Sequence, residues 1–164
     1  MNIIDIARAD IGKKEKPGNT GFLDTQLEKD LRAVGWEPGW AWCASIQEKW
    51  AWAAFPNLKD KIRGLFVPSA VNTFRNLVKA GYNHSLTPTP GAFVYWQRMK
   101  AGTELWQGHA GIVSKVVSDT EFYSIEGNTN AAGSREGDSV QEKHRFVKAD
   151  VEDGLKVIGF VTLL

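Results

Sequence analysis

Cysteine is nearly missing from this chain: Cys43 is the single one in 164 residues. No internal disulfide can form, and a CxxC-type zinc or redox site is excluded. Charge of one sign is missing too. Twenty Lys and Arg stand against 19 Asp and Glu, with neither sign concentrated in one stretch. No global field therefore draws the chain to nucleic acid or to an anionic membrane. No apolar run approaches the ~18–20 residues that span a bilayer, so membrane insertion is not expected. The start, MNIIDIARADIGKKE, lacks a basic segment followed by an apolar one. The expectation is synthesis in the cytoplasm without a secretory signal. Repeats and low-complexity tracts are absent, and no Cys/His/carboxylate ligand cluster suggests a metal. What remains is a globular composition, 43% hydrophobic, of a length that fits one domain over residues 1–164, expected as a monomer.

Tryptophan is the opposite case. There are seven, and several crowd around the cysteine in GWEPGWAWCASIQEKWAW. The first half, to about residue 82, has helical spacing. Ile3, Ile4, Ala7 and Ile11 form one stripe stopped at Gly12, and Phe22, Leu23, Leu27, Leu31 and Val34 form a second, closed at Gly35. Cys43, Ile46, Trp50 and Ala54 share the face of a third, ended by Pro56. Ser69 predicts an N-cap for a fourth carrying Ala70, Val71, Phe74, Leu77 and Val78, with Gly81 at C′. From about residue 90 the pattern changes. Short segments rich in Val, Ile, Phe and Tyr at 92–97, 108–117, 121–126, 140–147 and 155–163 predict strands. Their short links favour antiparallel neighbours, with a hairpin at SDT. Residues 128–139, NTNAAGSREGDS, are expected as one long polar loop. Helices followed by an antiparallel sheet of about five to six strands is an α+β layout.

A free cysteine is usually an inert small hydrophobe. Cys43 differs by position. It follows the turn-like WEPG and opens a helical stripe, where unpaired N–H groups and the positive dipole end favour a thiolate. The same groups could hold an oxyanion. Of the three histidines, His84 lies in a polar loop and His144 in the charged strand QEKHRFV, where a sheet-surface position is expected. His109, in GHAGIV, has small neighbours that leave room for another group to approach the ring, and it is the first choice as partner of Cys43. In SIEGNTN, Glu126 and Asn128 are two apart on a strand, so both point to one face. Either could accept the imidazole N–H, fixing the tautomer and stabilising the imidazolium. A cysteine on a helix, a histidine on a strand and an acceptor on the next strand fit an activated thiol nucleophile. Trp40, Trp42, Trp96 and Trp106 stand near these segments and could wall a cleft.

GWAWCA, GHAGIV and SIEGNTN, in that order and at compatible spacing, resemble the cysteine, histidine and Glu-x-Asn motifs of the CHAP amidase/peptidase family. The opening ARADIGKKEKPGNTG resembles that family's lead-in helix and loop. The resemblance implies a papain-like arrangement and hydrolysis of an amide bond in peptidoglycan, with no cofactor. It maps the nucleophile to Cys43, the base to His109, the orienting acid to Glu126 and a supporting polar residue to Asn128. A wall hydrolase without a leader would reach its substrate by lysis machinery or a secretion system, as a phage lysin or an antibacterial effector. An effector implies a cognate immunity protein. A non-catalytic wall-binding module and a cysteine acyltransferase or protein protease are the alternatives.

Overall fold

The structure is a computed structural model describing residues 1–129 and 138–164. Among the described residues, five α-helices precede six strands, which makes the chain α+β. The helices are α1 (Ile3–Arg8), α2 (Thr25–Ala33), α3 (Cys43–Ala54), α4 (Lys59–Ile62) and α5 (Ala70–Lys79). The strands are β1 (Asn83–Ser85), β2 (Phe93–Lys100), β3 (Thr103–Ser118), β4 (Glu121–Thr129), β5 (Ser139–Phe146) and β6 (Gly154–Thr162).

Side-chain caps set most helix starts. Asn2 accepts from the N–H of Asp5, Asp24 from Leu27 and Ser69 from Asn72, each satisfying a first-turn donor. At the end of α5, Gly81 takes a φ of 91°. Its N–H bonds Val78 and that of Tyr82 bonds Leu77, the paired closure that a left-handed residue permits. Two stripes run shorter than their spacing predicts. Helix α1 stops at Arg8, and Ile11 lies on the surface, because Asp10 turns inward to bond Lys13, Lys49 and Trp50. Phe22 joins the core from the loop before α2, while Leu23 is exposed.

The strands form one antiparallel sheet in the order β1-β6-β2-β3-β4-β5. Hairpin β2–β3 is longer than the spacing predicts. Past Gln97 the strands continue to Lys100 and Thr103, joined by Ala101 and Gly102 with φ of 48° and 76°. Two central residues at positive φ make a tight primed turn, where Asn-Gly would be the usual signal. Residues 83–85, expected in a loop, pair with β6 as a short edge strand. Of the expected loop at 128–139, Asn128 and Thr129 belong to β4 and Ser139 to β5. Residues 130–137 lie outside the described residues.

Alternation gives the sheet two apolar faces. Phe93, Tyr95, Ala110, Ile112 and Ile125 pack with Ile46, Trp50 and Leu77 of the helices. Val94, Trp96, Val113, Phe122 and Phe160 form a second cluster made by strands alone. Its burial comes from curvature. Strands β6 and β4 are three strand intervals apart, about 14 Å in a flat sheet, yet the rings of Phe160 and Phe122 lie 5.2 Å apart. The sheet curls into a half-barrel with helices outside and aromatic rings within.

Candidate active site

Cys43 is the first residue of α3 and is buried. Unlike α1, α2 and α5, this helix has no side-chain cap. Its N-cap is Trp42, whose ring is wholly buried against Phe22, with centroids 4.9 Å apart. The Trp42 indole N–H donates to the Glu15 carboxylate. Trp42 therefore anchors the helix start without consuming its first-turn N–H groups, which stay available to a ligand. Gly127 sets the helix against the sheet: a Cβ there would lie 2.6 Å from both Ile46 and Trp42.

His109, on β3, pairs in register with Trp96 of β2, and the two rings lie 5.4 Å apart. The flanking glycines make room, and one of the groups they admit is the carboxylate that reaches the imidazole. A Cβ at Gly108 would meet Val71 of α5 at 2.7 Å, and one at Gly111 would meet the Glu126 side chain at 2.8 Å. Of the two acceptors open in the sequence, Glu126 takes the ring: its Oε2 lies 2.7 Å from His109 Nε2. Nδ1 is left for the Cys43 side. Glu126 has no solvent exposure. Ser124 Oγ donates to its Oε1 at 2.5 Å, and Arg145 donates through Nε at 2.8 Å and Nη2 at 2.6 Å.

Burial alone would neutralise both partners. Instead the pair is held charged. Burial raises the Glu126 pKa, but the Arg145 hydrogen bonds and His109 outweigh it and bring it down to about 2. Burial lowers that of His109, but the Glu126 charge and Cys43 beside the ring lift it to about 9. The arrangement can hold an imidazolium beside a sulfur nucleophile at neutral pH.

Cys43, His109 and Asn128 open into one cleft of about 120 Å³, with Ser69, Gln107 and Trp106 on its walls. Asn128 is buried, with a φ of 57° that turns the backbone out of the strand conformation. A larger apolar hollow, about 350 Å³ between Ile3, Phe55 and Leu163, has no titratable side chain in its lining. The tryptophans divide. Trp106, 78% exposed, stands on the cleft rim. Trp40, 42% exposed, borders an adjoining hollow with Glu48 and Pro68. Trp42 and Trp96 are packed away and present no face to the cleft, because one anchors α3 and the other fills the half-barrel. His84 is exposed on β1, and His144 lies on the sheet surface with its Nε2 2.8 Å from Glu121.

Three participants escape the sequence reading. Arg145 adjoins His144 in QEKHRFV, where charge alternation suggested surface, yet period-two geometry sends neighbours to opposite faces. Ser124 is two before Glu126, and that same-face spacing was the available signal. Glu15 carries no pattern at all. Among the described residues, no group of three or more His, Cys, Asp or Glu is placed to hold a metal ion.

Comparison with curated proteins and with solved structures gives no match. A family model described as CHAP domain matches residues 34–128, more than half of the chain. The matched segment holds Cys43, His109, Glu126 and Asn128, and with that match this protein belongs to the CHAP domain family, whose members are typically cysteine amidases and endopeptidases of peptidoglycan.

Proposed function

We propose that the protein is a peptidoglycan hydrolase that cleaves an amide bond of the stem peptide or cross-bridge through a thioester on Cys43. One observation carries the chemistry: an uncapped helix start bearing the cysteine opens into the same cleft as a buried, ionised His109–Glu126 pair. Family membership carries the substrate class.

In this reading His109 Nδ1 has taken the thiol proton to form the imidazolium, and the Cys43 thiolate attacks the carbonyl of the scissile amide. Negative charge develops on the carbonyl oxygen, where the Cys43 N–H at the start of α3 stabilises it. His109 then gives its proton to the leaving amine, and the C–N bond breaks. Water, deprotonated by His109, attacks the thioester and releases the carboxylate product with the thiol restored. Glu126 holds the ring through Nε2 and compensates the imidazolium charge throughout. Asn128 supports the His109 side of the cleft. Trp106, and Trp40 further out, offer exposed rings that a sugar or peptide of the wall can pack against.

The biological setting proposed is a phage lysin or a secreted antibacterial effector, made in the cytoplasm and acting on the wall after delivery. The effector form would have an immunity protein.

The test is digestion of purified peptidoglycan by wild type and by Cys43→Ala, with mass spectrometry of the released muropeptides. Wild type should release fragments bearing new amino groups, and the variant should release none. Equal rates in the two would remove Cys43 as nucleophile. Binding to sacculi without release would favour a wall-binding module. Acyl transfer to amines, or cleavage of protein alone, would favour the acyltransferase or protease alternative.

A further inference from the structure

Strand β5 sends one side chain into the site from beyond the residues that the family model matches. That side chain is Arg145. Its fork engages both oxygens of the Glu126 carboxylate, Nε on Oε1 and Nη2 on Oε2. Oε1 is shared with Ser124 and Oε2 with His109. The guanidinium also lies 5.2 Å from the ring of Trp96, and Trp96 in turn lies beside His109. The contacts close a circuit: Arg145 to Glu126, Glu126 to His109, His109 to Trp96, and Trp96 back to Arg145. Arg145 does not line the cleft that holds Cys43.

We infer that Arg145 is a positioning residue for the proposed reaction, fixing the Glu126 carboxylate in the orientation and the ionised state that hold His109 in place. The inference rests on the cysteine-hydrolase reading for its consequence but not for its geometry. A fully buried carboxylate beside an imidazole has two ways to share one proton: carboxylate with imidazolium, or neutral acid with neutral imidazole. Low dielectric favours the neutral pair. A guanidinium is always charged and matches a carboxylate with two parallel N–H donors, so it stabilises the ionic arrangement. It also restrains the carboxylate torsion that would otherwise swing Oε2 off His109.

Charge and geometry are separable. Removing the positive charge makes the Glu126–His109 pair hold its shared proton more tightly, so the pH at which the pair loses that proton should rise, whichever partner carries it. Removing only the fork, by lysine, should leave that pH close to its place but loosen the carboxylate. The titratable and charged side chains around the pair are Arg145 and Lys143 on its strand face, Cys43 across His109, and Arg98, Lys148, Asp153 and His144 at the outer mouth of the half-barrel. His144 is engaged by Glu121.

Since Cys43 is the sole cysteine, its alkylation by iodoacetamide reports the site without any wall substrate. The experiment measures the alkylation rate against pH, and kcat and KM on peptidoglycan, for wild type, Arg145→Met and Arg145→Lys. Arg145→Met should lower the neutral-pH alkylation rate and kcat by roughly 10-fold or more, as loss of an outer partner does at histidine-centred sites. KM should change little, and the alkaline limb should move up by about one pH unit. Arg145→Lys should keep the limb in place while lowering kcat. A wild-type alkylation profile and kcat in Arg145→Met would overturn the inference. If Arg145→Met does not fold, a wild-type kcat and alkylation rate in Arg145→Lys overturns it equally. Should wild type release nothing from peptidoglycan while the alkylation profiles shift as stated, the wall reading fails and the role of Arg145 stands.

Discussion

Glu126 is a carboxylate with no access to water, and such a group stays charged only when its partners outweigh the lost hydration. Arg145 and His109 together do so, which is why its pKa sits near 2 instead of rising with burial. The folded value lies below the unfolded one. Its contribution to stability is therefore present above about pH 4.5 and lost as pH falls through about 2. Glu126→Gln keeps the shape but leaves the Arg145 guanidinium and His109 without their counter-charge. The variant should lose about 3–5 kcal/mol in urea unfolding at pH 7, and the deficit should shrink as pH approaches 2. A variant as stable as wild type at pH 7 would mean that solvent reaches Arg145 and compensates it. Spacing alone left Asn128 open beside Glu126 as acceptor for the imidazole, since residues two apart on a strand share a face. The structure sets Glu126 Oε2 on Nε2, a placement that depends on how β3 and β4 align, with Ile112 opposite Ile125.

Helix α3 is the element on which the site hangs, and its two ends of duty are visible in its residues. Ile46, Trp50 and Ala51 bury against the sheet, while Gln47 donates to the Gly111 carbonyl on β3 at 2.9 Å. That hydrogen bond ties the cysteine helix directly to the histidine strand. One turn in, Glu48 is nearly buried, and burial lifts its pKa to about 7 even though Arg63 and Trp52 act against the rise. Its folded value lies above the unfolded one. The stability linked to Glu48 is thus fully present below about pH 4.5 and lost as pH rises through about 7. Glu48→Gln removes that loss. At pH 8 its Tm should exceed that of wild type by about 3 °C or more, and at pH 4 the two should coincide. Differential scanning calorimetry at both pH values checks this, and a gain of equal size at pH 4 would point to packing instead of charge. The helical spacing from Cys43 to Ala54 was legible because apolar residues recur every three to four positions. The missing cap was not, since whether a side chain bonds a first-turn N–H depends on where the preceding turn aims it.

Over the whole molecule, helices cover one face of a sheet whose other face closes upon itself, and the ionic pair sits where the two regions meet. His109 is the mirror of Glu126 in its linkage. Its folded pKa, about 9, lies above the usual 6.5, so its contribution to stability is complete below about 6.5 and lost as pH rises through about 9. In a Glu48→Gln background, Tm should therefore hold a plateau between about pH 4.5 and 6.5 and fall on both sides. Replacing His109 with Gln should abolish the alkaline fall. A Tm that stays flat to pH 10 with His109 intact would mean that the ring is neutral in the folded state. The sequence by itself determined the helix-then-sheet order, helices α3 and α5, the hairpin at SDT and the succession of cysteine, histidine and acid, because these depend on local spacing and on residue type. It could not place Trp42 and Trp96 in the interior or continue β2 and β3 through Ala101–Gly102. Nor could it bring Arg145 onto Glu126. Those outcomes depend on sheet curvature, strand register and the aim of side chains from distant segments, and only the tertiary structure sets them. A residue's neighbours along the chain fix its conformation, but the carboxylate that a guanidinium meets lies on the neighbouring strand, 19 positions away.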